Sequence, residues 1–354
     1  MSTKYPKISG KVQDFLVNIS RLELNDQPTT IPLIGTVKLH GAHADIVVHA
    51  DNAVQLQSRN VLDLKLENDS YGYAAFMLPL QSEVLDLKDQ YYRRYKELNP
   101  DIAINPEFPL IIAGEWIGAA IQRGVAIASL SKRFAIISAS INDTWLPDAA
   151  YASIHNESVG IYNISRAGFY HHSLDLNNIP TSMETMQTMT NEVEKECPFA
   201  KIFGISGIGE GIVWKATTPP FSGPDFWIKT KGPLHAVTNS AILPKETISL
   251  EQKERAMVFA RAVVTEMRLK QGWDYLAETG VEQSKKGVKA FLNWLSQDCE
   301  TEEKREIEEM EVDLKLLRSE IVSIGREWYF RRLEEKEMEG KEKATLKSLG
   351  ALTV

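Results

Sequence analysis

The run Val37-Lys38-Leu39-His40-Gly41 sets a lysine at the end of an apolar stretch, with a glycine three residues later to close a turn. A lysine at the mouth of such a turn is partly desolvated. Desolvation disfavours the ammonium form and frees the amine to attack phosphorus. Four other segments carry groups suited to the same chemistry. Arg59, in Ser58-Arg59-Asn60, offers a planar fork that fits a phosphate or a ribose. Glu115, in Gly114-Glu115-Trp116-Ile117-Gly118, ends an apolar stretch, where a carboxylate is costly unless it accepts hydrogen bonds. A ribose hydroxyl is a suitable donor. Glu210 and Lys215 stand at the two ends of one strand-like run, so they face opposite sides of a sheet and are not expected to share a site. Lys229 and Lys231 share one strand face, where two ammonium groups repel unless an anion lies between them. Each segment also has a bland reading: a surface lysine beside a hairpin, a strand-end arginine, a partnered glutamate, an edge strand guarded by lysines. Taken singly, none of them decides anything.

The elements that must position these groups are mostly strands. Leu33 to Leu39, Ala44 to His49 and Val54 to Gln57 alternate or cluster apolar residues as strands do. Pro109 to Ile117, Arg133 to Ile141, Val159 to Ile164, Gly211 to Ala216 and Phe226 to Lys231 read the same way. Glu83 to Leu98 and Ser182 to Glu196 read as helices. The glycine-rich Gly204 to Gly209 precedes a strand rather than a helix, which excludes a dinucleotide-binding loop. After Pro244 the pattern turns helical, beginning with a plausible cap at Ser249. Ile307, Met310, Leu314, Leu317, Ile321, Ile324 and Trp328 follow a 3,4 spacing. This is either a coiled-coil seam or one long helix packed on a helix from Ser249 to Leu269. The expected organisation is α+β: residues 1–240 as antiparallel sheets flanked by helices, then an all-helical domain over residues 245–354.

Bulk properties narrow the class. The 354 residues suffice for two domains, and 43% apolar with 25% charged residues is the balance of a soluble globular chain. No apolar run is long enough to span a bilayer, so no membrane partner is expected. Two cysteines, Cys197 and Cys299, form neither a disulfide framework nor a cysteine-rich zinc site. That points to a reducing intracellular compartment, cytoplasm or nucleus. A net charge of -8 argues against a passive nucleic-acid-binding module, but not against an enzyme with a confined phosphate-reading groove.

In order and spacing, Lys38, Arg59, Glu115, the strand near residue 137, Glu210, and Lys229 with Lys231 resemble the covalent nucleotidyltransferase superfamily over about residues 30 to 240. Lys38-Leu39-His40-Gly41 is similar to motif I, Glu115 to motif III, Phe134 to Ala139 to motif IIIa, Glu210 to Lys215 to motif IV and Lys229 to Lys231 to motif V. His40 stands where DNA ligases and capping enzymes usually have Asp. With Gln122 to Ala126 and Lys229 to His235, it resembles the ATP-dependent RNA ligases of the phage nick-joining type, which also carry a helical rather than an OB domain after motif V. The resemblance implies that Lys38 becomes attached to AMP, with ATP and Mg²⁺ or Mn²⁺ as cofactors and RNA ends or nicked RNA duplex as partner. It further implies that Glu115 holds the ribose, Arg59 the ribose or phosphate, and the main chain at Val37 the adenine edge. Lys229 and Lys231 would neutralise phosphate, His40 would meet pyrophosphate, and Glu210 would orient Lys38 or a metal. Motif IIIa departs from the family: Ile137 and Ser138 stand where an aromatic ring and an acid are usual, leaving Ile137 to cover the adenine. Arg261 and Arg268, seven residues apart, are candidates for tracking RNA phosphates. The competing readings are a DNA ligase, a capping guanylyltransferase, or a non-catalytic nucleotide- or RNA-binding scaffold. Oligomeric state stays open.

Overall fold

The computed structural model describes residues 3–24, 26, 28–236 and 250–350, with side chains to residue 339. The chain divides into two compact units, Met1–His235 and Ala236–Val354. The expected domain boundary and the expected cap at Ser249 lie outside the described residues.

The first unit begins with helix α1 (Val12–Ser20), followed by β1 (Thr30–Lys38), β2 (Ala42–Val48) and β3 (Val54–Ser58). Then come α2 (Tyr73–Met77), α3 (Gln81–Leu98), β4 (Leu110–Ile117), β5 (Arg133–Ile141), β6 (Thr144–Trp145), β7 (Ile161–Asn163) and β8 (Tyr170–Asp175). It ends with α4 (Ile179–Lys195), α5 (Pro198–Lys201), β9 (Gly211–Ala216) and β10 (Trp227–Lys231). The strands form two sheets, in the orders β10-β9-β1-β8 and β3-β2-β4-β5-β6. All pairings within these orders are antiparallel, and β7 adds to β5 in parallel. Strand β8 was not read from the sequence. Its Tyr-His-His-Ser-Leu-Asp run has no clear alternation, and it is made a strand by pairing with β1 over Thr30 to Gly35.

Each sheet buries one face against helices. The first packs Leu33, Ile212 and Trp214 on Phe15 of α1 and on Met186 and Val193 of α4. The second packs Ile46, Ile112 and Ile136 on Val84, Leu87 and Tyr91 of α3. Burying a side chain of this size contributes about 1.5–3 kcal/mol, so the two cores hold the sheets firmly. Helix α4 starts before the expected Ser182, because the Asn178 side chain accepts from the Thr181 N–H and Pro180 sits in the first turn. The other faces of the two sheets meet around Tyr5, with Ala113, Ile137 and Trp145 from one and Val213 and Trp227 from the other.

The second unit is helical: α6 (Gln252–Val263), α7 (Glu266–Glu278), α8 (Val288–Glu302), α9 (Lys304–Glu309) and α10 (Leu314–Gly350). The helix expected over Ser249 to Leu269 is two helices. Thr265 caps α7 by accepting from the Arg268 N–H, which ends α6 before it. The 3,4 seam is likewise interrupted. Glu311 has φ 50, and Asp313 accepts from the Leu316 N–H, so α10 starts afresh after α9. Leu317, Ile321 and Trp328 are buried in the unit's own core with Phe259, Val263 and Phe291, and α10 packs on α6. The seam is therefore used internally. Among the described residues, no helix is long and apolar enough to cross a membrane.

Candidate functional site

Register explains the cluster around Lys38. On the first sheet, Lys38 of β1 and Lys231 of β10 both stand opposite Gly211 of β9. Glu210, one residue before Gly211, therefore lies between two lysines brought from 172 and 21 residues away. Lys38 Nζ is 2.7 Å from Glu210 Oε2, and Lys231 Nζ is 2.9 Å from Glu210 Oε1. Gly211 permits this closeness, because a Cβ there would collide with the Thr230 carbonyl of β10. Burial alone would push the Glu210 carboxyl up, but the Lys231 and Lys38 ammonium groups, with His40 beside them, hold it well below the usual carboxylate range. Glu210 is thus an ionised buried carboxylate, and its side chain is 1% exposed against 23% for Lys38.

The glycine of Lys38-Leu39-His40-Gly41 also has a specific reason. The Gly41 N–H donates to Glu115 Oε1 at 2.9 Å, and a Cβ on Gly41 would strike the Trp116 carbonyl and the Glu115 side chain. The turn after β1 therefore ties the Lys38 end of the first sheet to Glu115 on the second. Burial raises the Glu115 carboxyl, with Lys38 and His43 opposing. His43 pairs with Glu115 across β2 and β4.

The other expected residues fall as follows. His40 Nδ1 is 3.6 Å from Glu210 Oε2, and its ring meets the edge of His235 at a centroid distance of 5.4 Å. Lys229 lies opposite Val213, on the same face as Lys231. Val37 is buried in the core, so its side chain faces away from the cleft. Arg59 is exposed, and its Nη1 donates to the Tyr5 carbonyl at 3.2 Å. Ile137 is half-buried, and its carbonyl accepts from Lys215 Nζ at 3.5 Å. Lys215 stands on the same sheet face as Val213, Lys229 and Lys231, not on the opposite side from the Glu210 contacts as expected, because Glu210 precedes β9 and is not bound by its alternation. Further along the strand, Lys215 pairs with Asp148 at 2.7 Å.

Three contributors were missed. Asp148 sits on a short 3₁₀ turn, Asp148–Tyr151, and accepts from Ser138 Oγ at 3.0 Å as well as pairing with Lys215. An acid thus stands beside Ser138, where motif IIIa lacks one, supplied from ten residues further along. Tyr5 lies in the cleft, stacked on His43 with centroids 5.1 Å apart. His235 Nδ1 lies 3.1 Å from Glu194 Oε1 and backs His40. For Asp148 and Tyr5 the sequence signal was chemical type alone; His235 closes the Lys229 to His235 segment of the resemblance, but no role was read for it there.

The model of one family, RNA ligase, matches residues 31–231. The chain belongs to the RNA ligase family. The matched span runs from β1 to the end of β10 and takes in Lys38, Arg59, Glu115, Ile137, Glu210, Lys229 and Lys231. Among solved structures, the chain is similar to RNA ligase of Naegleria gruberi. A mutant of that ligase with ATP and Mn is 15% identical, with a TM-score of 0.41, over 66% of this chain and 58% of that one. The same ligase with PPi is 16% identical, with a TM-score of 0.41, over 66% and 57%. The chain thus spans less than two thirds of the length of these ligases. No curated protein matches it.

Two of the expected RNA ligase residues, the nucleophile candidate Lys38 and the phosphate candidate Lys231, converge on one carboxylate. Among the described residues, no group of three or more His, Cys, Asp or Glu side chains is arranged to hold a metal ion. Both oxygens of Glu210 face ammonium groups. A hard cation bound by one carboxylate, with substrate phosphates and waters as its other ligands, still fits this donor set. Mg²⁺ is commonly held that way.

Proposed function

We propose that the chain is an ATP-dependent RNA ligase that joins 5′-phosphate and 3′-hydroxyl RNA ends through a lysyl-AMP intermediate on Lys38. The observation that supports it best is the Lys38–Glu210–Lys231 line, with Glu115 tied to the same turn, in a chain of the RNA ligase family. Lys38 Nζ attacks the α-phosphorus of ATP. An N–P bond forms, the α–β phosphoanhydride bond breaks, and pyrophosphate leaves. The 5′-phosphate of an RNA end then takes the AMP from Lys38, giving an RNA-adenylate. A 3′-hydroxyl attacks the 5′-phosphate, and AMP departs as the phosphodiester forms.

Each step is a transfer at phosphorus, so positioning and charge neutralisation carry the catalysis. Glu210 fixes the direction of the Lys38 amine. Lys231 and Lys229 present positive charge where the α-phosphate must lie, and His40 lies beside the leaving pyrophosphate. Glu115 accepts from the ribose, and Arg59 meets ribose or phosphate. Ile137 covers the base. Glu210, with the ATP phosphates, would hold Mg²⁺ or Mn²⁺, which offsets charge on the phosphates.

The test is incubation with labelled ATP and, separately, GTP. ATP is expected to add the mass of one AMP to the protein, with no addition in Lys38→Ala. Sealing of matched RNA and DNA nicks then follows, and RNA is expected to be preferred. Labelling by GTP alone would move the chain to the capping enzymes. No labelling by either would leave a binding scaffold.

A further inference from the structure

The segment before α1 crosses the cleft between the two sheets. At one end the Gln57 amide donates to Thr3 Oγ1 at 2.9 Å, on the β3 side of the second sheet. At the other, Ser9 bridges in parallel to Ile228, and its carbonyl accepts from the Lys229 N–H at 2.9 Å, on the first sheet. Between these anchors Tyr5 turns its ring inward and is 6% exposed. His43 stacks on it, and Asp45 Oδ1 lies 2.9 Å from His43 Nε2. Trp145 meets its ring edge-on at 5.1 Å, Trp227 lies 5.7 Å away, and the Lys215 ammonium is 6.0 Å from its centre.

Ile137 and Val213 border this cluster from the two sheets. They remain half-buried while Tyr5 is closed off. Trp145 is half-buried as well, so the accessible edge of the cluster is made by Ile137, Val213 and Trp145, with the tyrosine ring behind them. Ile137 gives a base less stacking surface than an aromatic ring in its place would. The Tyr5 main chain also contributes, because its carbonyl receives the Arg59 guanidinium.

We infer that Tyr5 is a nucleotide-binding residue: its ring is the inner wall of the slot in which the nucleobase lies between Ile137 and Val213, and its carbonyl aims Arg59 at the nucleotide. This rests on the ligase reading above. The segment acts as a fixed strap, pinned to both sheets, that delivers an aromatic surface which motif IIIa lacks. The Lys215–Asp148 pair behind the ring is neutral as a pair, so the wall presents an apolar face to the base.

ATP is titrated against formation of the protein–AMP adduct, read by intact mass, using the whole chain with Tyr5, Tyr5→Leu or Tyr5→Phe. Tyr5→Leu keeps bulk but removes the ring, and is expected to raise the half-saturating ATP concentration about tenfold, with the rate at saturating ATP within about threefold. Tyr5→Phe is expected to stay within about twofold of the parent in both. Gln57→Ala releases the outer anchor without touching the ring, and is expected to shift half-saturation in the same direction by less. It serves alone if Tyr5→Leu does not give a cooperative melt. Unchanged half-saturation in the variants overturns the inference. So does tighter ATP use, which would make the ring a plug, and so does a loss confined to the saturated rate. If the parent forms no adduct at any ATP concentration, the ligase reading itself fails. If the parent forms it and the variants match it, only the role of Tyr5 fails.

Discussion

Glu210 and Glu115 are buried carboxylates in one cleft, yet they are driven in opposite directions. Glu210 has two ammonium partners, so its ionised form is favoured in the fold. Its contribution to stability is present above the unfolded value of 4.5 and is lost as pH falls through the folded one. Glu115 is dominated by burial, so the fold favours its protonated form. That contribution is full below 4.5 and is lost as pH rises through the folded value. Glu115→Gln keeps the acceptor for the Gly41 N–H and removes the buried charge. It is therefore expected to melt at least about 2 °C higher than the parent near pH 7.5. The gain should vanish below about pH 4.5. Melting curves of both proteins across that range check this, and an equal difference at all pH values would refute it. ATP use should weaken in the same variant, because a charge meant for a ribose hydroxyl has been removed.

At the scale of elements, strands supply the chemistry and one short turn corrects it. The 3₁₀ turn after β6 carries Asp148 back to Ser138 and Lys215, and the side chains of Lys215 and Asp148 are each 10% exposed. Burial lowers the Lys215 ammonium, and Asp148 opposes that. Asp148→Ala strands a buried cation and should cost about 3–5 kcal/mol in urea unfolding. Adding Ser138→Asp restores an acid where the family usually has one and should recover more than half of the loss. If the double variant is no more stable than Asp148→Ala, Ser138 is not where the missing acid's place lies. Register places the other groups. A Gly211→Ala change would press on the Thr230 carbonyl, move β10 and draw Lys231 away from Glu210. Adenylylation should then fall about tenfold or more, measured as adduct formed per minute.

For the whole molecule, the two units have separate hydrophobic cores. The proposed adenylylation residues all lie in the first unit, so residues 1–244 should form lysyl-AMP while sealing RNA poorly. Sealing undiminished by the truncation would assign the helical unit another purpose. One expected RNA contact is corrected. Arg268 is fully buried, with Nη2 2.6 Å from Glu303 Oε1 and Nε 3.3 Å from Asp298 Oδ2, so it cannot track phosphates. Arg261 remains exposed. Arg268 and Arg261 are seven residues apart, but Thr265 starts a new helix between them, so the shared face assumed from the spacing does not exist. Arg268→Ala should therefore destabilise the helical unit by about 3–5 kcal/mol through the orphaned carboxylates. Calorimetry of the whole chain would show it as an earlier transition.

By itself, the sequence determined the α+β character, the helical second part and the identity of the motif residues, because periodicity and fixed spacing are local properties. Only the tertiary structure decided that Gly211 lines up with both Lys38 and Lys231. Strand register depends on pairing between segments far apart in the chain, and no spacing encodes it. The same reason hid Asp148, Tyr5 and strand β8. Each takes its role from a partner that the fold brings near and the sequence keeps distant.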